Sequence, residues 1–235
     1  MDLLEEFVLL AHDDRGARII DSGRIDHGLG GAILMELALA RRIDVADRKV
    51  VVSAGDPVGI PAADEALDRI AGDARPRKAV HWVSRFARGT QKRVLHDLVA
   101  AEVLRVEQTP MLLVFTRTRY PAVAGPEAPA RTDARQRVHS AVTRPDPITP
   151  RTAALCALVA ATGMEHGLLP DLDRKRVRAR LAEISEGDWA AAAVRRAIQD
   201  VQAAVTAAAV MSYGDGSAGG DGGGGGGDGG GGGGS

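Results

Sequence analysis

GLGGAILMELALARRI, residues Gly28–Ile43, is the stretch that decides the fold. Between Ala32 and Ala40 its one polar residue is Glu36. A helix that is apolar on nearly every side belongs in the middle of a fold, with other elements packed around it. Asp26 stands where a side chain caps the first turn. Arg41 and Arg42 stand where the helix dipole favours positive charge. Gly28, Gly30 and Gly31 carry no Cβ, so neighbouring backbones can come close. The run is far shorter than the roughly 20 residues that a bilayer span needs. It reads as the central helix of a soluble domain.

Outward from this helix the chain divides into short elements. Leu3–Leu10 is a short helix or a strand, Asp13–Gly16 a turn, and Ala17–Ile20 a returning strand. After the central helix, two β-rich runs between Ile43 and Asp56 flank Ala46-Asp47-Arg48 and read as a hairpin. Ala63–Ile70 is an amphipathic helix ending near Gly72. Pro76 opens a helix to about Ala87, Gly89 breaks it, and Gln91–Ala101 forms the next. Val103–Val106, a turn at Glu107–Pro110 and Met111–Thr116 read as a second hairpin whose second strand holds the apolar run Met111, Leu112, Leu113, Val114 and Phe115. Thr132–Val142, Arg151–Thr162, Arg174–Ile184 and Asp188–Val210 read as helices. Residues 1–211 are expected to form one domain. Residues 212–235 are Gly and Asp rich, cannot bury enough apolar area to offset their conformational entropy, and are expected to be disordered.

The aromatic content of 3% is low, so the core must be built from Ala, Val, Leu and Ile. Arg greatly outnumbers Lys, which with the Ala and Gly enrichment suggests a GC-rich, bacterial gene. The formal net charge of −1 gives no global field to attract nucleic acid or an anionic membrane, so any such binding must use a local patch. A single cysteine, Cys156, excludes an internal disulfide and a multi-cysteine metal site. It sits in an apolar run and reads as a buried small hydrophobe. There is no signal peptide and no membrane-spanning run, so the expectation is a cytoplasmic chain that visits a membrane surface.

Signatures of catalysis are missing. Gly28-x-Gly30-Gly31 lacks the third glycine of a dinucleotide fingerprint, since that position is Ile33. The histidines have no metal-binding spacing, and there is no nucleophile elbow. Glu36 reads as a structural carboxylate, in a salt bridge or a link to a neighbouring loop. No catalytic residue, cofactor or metal is expected. The informative feature is a basic cluster with Trp82 among it: Arg75, Arg77, Lys78, Arg85, Arg88, Lys92 and Arg93. Arg85 and Arg88, three apart, share a face if their helix persists, and guanidinium groups on one face can grip phosphate. Helix followed by apolar hairpin occurs twice, at Gly28–Ser53 and Gln91–Thr116. That arrangement leaves a winged-helix nucleic-acid binder as the alternative. The apolar surface of the Gly28–Ile43 helix and the near-zero net charge argue against it.

Several segments together resemble a known family. GLGGAILMELALARRI is similar to the G-L-x-G-x-x-L-x-E-L-A-L-x-x-R segment of the Golgi phosphoprotein 3 family, which includes bacterial members. Glu5–Leu10 followed by Asp14-Arg15-Gly16, Asp64-Glu65-Ala66-Leu67, Leu98-Val99 with Val103-Leu104, and Arg176-Val177-Arg178 extend the resemblance from about Leu3 to Val210. The resemblance implies a mainly α fold: a central helix bundle surrounded by amphipathic helices, with short β-hairpins. It also implies a non-catalytic role. Eukaryotic members bind phosphatidylinositol 4-phosphate in a basic surface pocket, dock on membranes and hold glycosyltransferases in the Golgi. Their protruding apolar hairpin serves self-association, which maps here onto Met111–Phe115. Of the pocket positions, the Trp falls on Asp21, one Arg on Gly30, and two others on Arg88 and Gln91. Arg85, Lys92 and Arg93 stand near enough to supply charge. The expected partner is an anionic phospholipid surface, met through a basic patch centred on Arg88.

Overall fold

A computed structural model describes residues 1–111, 115–125 and 128–214. In chain order the elements are α1 (Leu3–Leu10), α2 (Ser22–Leu39), β1 (Ile43–Ala46), β2 (Lys49–Val52), α3 (Pro61–Ala71), α4 (Ala79–Ala87) and α5 (Thr90–Ala100). There follow β3 (Glu107–Met111), β4 (Phe115–Arg119), α6 (Pro129–Thr143), α7 (Pro150–Thr162), α8 (Glu165–Leu168), α9 (Arg174–Glu186) and α10 (Ala192–Gly214). The strands form two separate antiparallel pairs, β1 with β2 and β3 with β4. The architecture is the expected one, mainly α with short hairpins.

Helix ends follow local chemistry. The Leu3–Leu10 ambiguity resolves to a helix because Asp2 and Glu5 form a capping box: Asp2 Oδ1 accepts from the Glu5 amide, and Glu5 Oε2 from the Asp2 amide, both at 2.9 Å. The central helix starts earlier than expected. Asp21 is its cap, accepting from the Arg24 amide at 2.9 Å. Asp26 lies inside the helix and caps nothing. Arg41 and Arg42 lie past the last turn, with Arg41 in the left-handed region. The β1–β2 hairpin turns through Asp47 and Arg48, both at positive φ, the geometry that matches strand twist in a two-residue loop. Ala17–Ile20 is not a strand, because only Arg18 makes a bridge, with His12.

α2 is enclosed, and its glycines divide the work. A Cβ at Gly28 would lie 2.2 Å from the Phe7 ring of α1, one at Gly30 2.2 Å from the Val83 carbonyl oxygen of α4, and one at Gly31 2.3 Å from Val205 of α10. α7 closes the remaining side, with Leu158 3.3 Å from that last position. One continuous hydrophobic core, built mostly of Ala, Val, Leu and Ile, runs from Leu3 to Ala208. Glu36 is the buried polar exception. Its Oε1 accepts from the Leu3 amide at 2.6 Å and from Arg151 Nη2 at 2.9 Å, so it ties α1 and α7 to α2. Among the described residues, no helix is long and apolar enough to cross a membrane.

Candidate functional site

The expected basic patch does not form a single surface. α4 ends at Ala87, so Arg88 leaves the helix in extended geometry, and Gly89 at φ 78° starts α5. Arg85 and Arg88 therefore do not share a helix face. They do meet at a narrow cleft of about 30 Å³ with Glu65, Arg69 and Arg93. Glu65 is already engaged there, pairing with Arg69 and, at 2.8 Å, with Arg93. The Arg93 hydrogen bond, together with the charges of both guanidiniums, holds the Glu65 carboxyl below its usual range. Arg93 is thus committed, while Arg85 and Arg88 are exposed and have no ion pair among the described residues.

Gln91, Lys92 and Asp21 face a different cleft, of about 870 Å³. Three segments distant in sequence build it. The loop from His12 to Asp21 forms one wall, Gln91, Lys92 and Leu95 of α5 a second, and Arg117–Tyr120 of β4 and the residue after it a third. The Ser22 hydroxyl donates to Gln91 Oε1 at 2.9 Å, which joins the start of α2 to α5. Gly16, at φ 70°, accepts the Tyr120 amide at 3.0 Å. A Cβ there would lie 2.2 Å from the Pro121 nitrogen, so the loop and the base of the hairpin are packed backbone to backbone. Arg131, itself buried, pairs with Asp14 at 2.9 Å and donates to the His12 carbonyl, fixing the loop from behind.

The cleft gathers Arg18, Lys92, Arg117 and Arg119. Among the described residues none of these has a carboxylate within ion-pair distance, and Arg119 Nε is buried with no hydrogen-bond partner. Glu107, opposite Arg119 across the hairpin, is held instead by Arg105 at 2.9 Å. Asp21 is on the wall, but it caps α2 and pairs with Arg24 at 3.2 Å. Burial lowers the His12 pKa, with Arg18 and Arg131 acting in the same direction, so His12 adds no charge near neutral pH. The arrangement can hold a group with several negative charges in fixed, partly desolvated geometry.

Arg18, Arg117 and Arg119 were not legible as site residues. The usable signal was the Arg117-x-Arg119 alternation, which puts both side chains on one face of a strand. It was hidden because the apolar run was read as the strand. The pairing instead joins Glu107–Met111 to Phe115–Arg119, so Glu107–Pro110 is strand and not turn. Met111 and Phe115 pair at the end of the ladder. Leu112, Leu113 and Val114, the centre of the expected self-association surface, lie outside the described residues. Gly30 is buried under α4 and presents nothing to solvent. Cys156 is buried, and burial pushes its thiol up to about 12, which leaves no thiolate near neutral pH. Among the described residues no group of His, Cys, Asp and Glu is arranged to hold a metal ion.

The family model described as Golgi phosphoprotein 3 (GPP34) matches residues 3–201, which spans both clefts and the whole of α2. No curated protein matches the chain.

Proposed function

We propose that this chain, which belongs to the Golgi phosphoprotein 3 family, is a non-catalytic peripheral module that docks on anionic phospholipid surfaces at the cytoplasmic membrane face. The observation that carries the reading is the cleft holding Arg18, Lys92, Arg117 and Arg119 without carboxylate partners. Leaving four cations unpaired around one cavity makes sense where an external anion completes them. Each basic residue near an anionic surface contributes roughly 1 kcal/mol, and salt screens the attraction. Arg85 and Arg88 add to the same attraction from the neighbouring cleft. The centre of the patch moves from Arg88 to the loop, α5 and β4.

The positions that the resemblance assigns to the phosphatidylinositol 4-phosphate pocket are Asp21, Gly30, Arg88 and Gln91. Only Arg88 brings a cation, and it faces the other cleft. The reading is therefore of recognition by charge, with little selection for headgroup shape. Co-sedimentation with vesicles of phosphatidylcholine alone, or containing phosphatidylserine or phosphatidylinositol 4-phosphate at equal charge, tests it over a range of salt. Weak, salt-sensitive binding to both anionic vesicles and none to the neutral one is expected. No binding at low salt and high lipid would overturn the proposal. Tight, headgroup-selective binding that survives high salt would overturn its charge-based form. A DNA shift assay run alongside addresses the winged-helix alternative. That alternative is disfavoured because α2, one of its two reading helices, is enclosed by α1, α4, α7 and α10. Self-association through Met111–Phe115 rests on the sequence alone, and sedimentation of Leu113→Asp tests it.

A further inference from the structure

The cleft is cationic, and the chain carries anions of its own beyond α10. Residues 215–235 contain Asp215, Asp221 and Asp228 and no Lys or Arg. The direction of α10 decides where this stretch emerges. Val201 and Val205 lie against Gly31 of α2, and the helix also packs on β1, which follows the C-terminal end of α2. Asp200, next to Val201, is within electrostatic reach of Asp44 and Arg48 of that hairpin. α10 therefore runs antiparallel to α2. From Val205 to Gly214, and from Gly31 back to Ser22, the two helices rise the same distance, about 14 Å at 1.5 Å per residue. The last residue of α10 is thus level with Ser22 and Asp21, at the wall of the cleft. Asp221 follows seven residues later and can reach about 24 Å from Gly214 at full extension, roughly two helix diameters.

We propose that the Gly/Asp stretch is an internal competitor for the cation cleft, its carboxylates meeting Arg18, Lys92, Arg117 and Arg119 until an anionic membrane surface displaces them. The inference rests on the reading of the cleft as the membrane site, and it supplies that site's regulation. Single exposed Asp–Arg contacts are weak and screened by salt. Tethering compensates in part, because it holds the carboxylates at an effective concentration in the ~mM range. Such a competitor does not close the site. It sets a threshold of surface charge that a membrane must exceed, and a surface with many headgroups exceeds it where a few scattered anions do not.

The test uses the full chain with Asp215→Asn, Asp221→Asn and Asp228→Asn combined, which removes the charge and keeps the length. Without lipid, amide ¹H–¹⁵N shifts of Arg18, Lys92, Thr118 and Arg119 are expected to differ from wild type while the core is unchanged. With phosphatidylserine vesicles at low salt, half-binding is expected at about two- to fivefold less lipid, the difference vanishing at ~0.5 M salt, where the screening length is only a few ångströms. Identical cleft amides in the two proteins would overturn the proposal, whatever the vesicles do. Shifted cleft amides with no vesicle binding by either protein would support the internal contact and overturn the membrane reading of the cleft.

Discussion

Two groups of charges at different places in the molecule behave in opposite ways. Where α1, α2, α6 and α7 meet, Glu6, Glu36, Arg137 and Arg151 lie together and satisfy one another. Arg137 donates to Glu6 at 2.7 Å, and Arg151 bridges Glu36 and the Met1 carbonyl at 2.9 and 3.0 Å. In the cleft between the His12–Asp21 loop, α5 and β4, four cations stand around a cavity with no such partners. Both groups draw on the same Arg-rich composition, and the net charge of −1 hides the contrast. Pairing, more than the count of charges, separates a cluster that holds the fold from one that awaits a ligand. A guanidinium enclosed by protein acceptors is structural, and one left open beside a cavity is available.

The largest expected effect lies in the paired group. Glu36→Ala leaves the Leu3 amide and the Arg151 guanidinium without their shared acceptor, and should cost about 1–3 kcal/mol of stability. Denaturant midpoints measure this, and Glu36→Gln should lose less because one acceptor oxygen remains. Wild-type midpoints in both variants would break the comparison on its structural side.

The open group should show the reverse behaviour. Arg117→Ala combined with Arg119→Ala should weaken binding to anionic vesicles about tenfold, in line with roughly 1 kcal/mol per surface cation. Its unfolding midpoint should stay within the ~0.5 kcal/mol usual for surface changes. A variant that loses stability and keeps binding would show that these guanidiniums are structural after all. Arg85→Ala combined with Arg88→Ala sharpens the same point. These residues share their cleft with the Glu65 carboxylate, so a smaller loss, about two- to threefold, is expected in the same vesicle assay. A loss larger than that of the β4 pair would return the centre of the patch to Arg88.

The smallest effect concerns Glu6. Burial raises its pKa, and the charges of Arg137 and Arg151 only partly offset that. An acid whose folded pKa lies above its unfolded value makes the folded state bind the extra proton. Its contribution is therefore fully present below the ordinary carboxylate range and is lost as pH rises through the raised value. Relative to Glu6→Gln, the wild type should lose stability across that window on going from acid toward neutral pH, by less than about 1 kcal/mol. Parallel stability curves for the two proteins over the window would remove this account of Glu6.

The sequence made the centre of the fold legible and left its periphery uncertain. GLGGAILMELALARRI identified α2 because an all-round apolar helix has few places to be. Its start was misplaced, since Asp21 and Asp26 are equally good caps in isolation and only packing chooses between them. The second hairpin was misread for a different reason. An exposed two-stranded ribbon needs no apolar face, so Glu107–Met111 and Phe115–Arg119 carry no hydrophobic signature, and the apolar residues between them attracted the assignment. The cleft was the least legible part. It joins a loop near residue 16, one turn of α5 and the end of β4, and no spacing along the chain encodes that proximity. Arg88 was found through the family resemblance, while Arg18, Arg117 and Arg119 emerged only when the chain was seen folded.

The close seating of Val83 over Gly30 makes one substitution hard to reverse. The resemblance places an arginine of the family's pocket at this position, yet here even a methyl group would come within 2.2 Å of a carbonyl oxygen. Gly30→Arg would not reinstate a lost ligand contact. It would have to prise α4 away from α2 first. Positions of this kind act as a ratchet in the history of a chain: glycine is easily entered when two helices draw together, and every other residue is then barred until they part. Variation that tunes headgroup affinity in this protein finds its open ground in the loop and the ribbon, outside the helix stack.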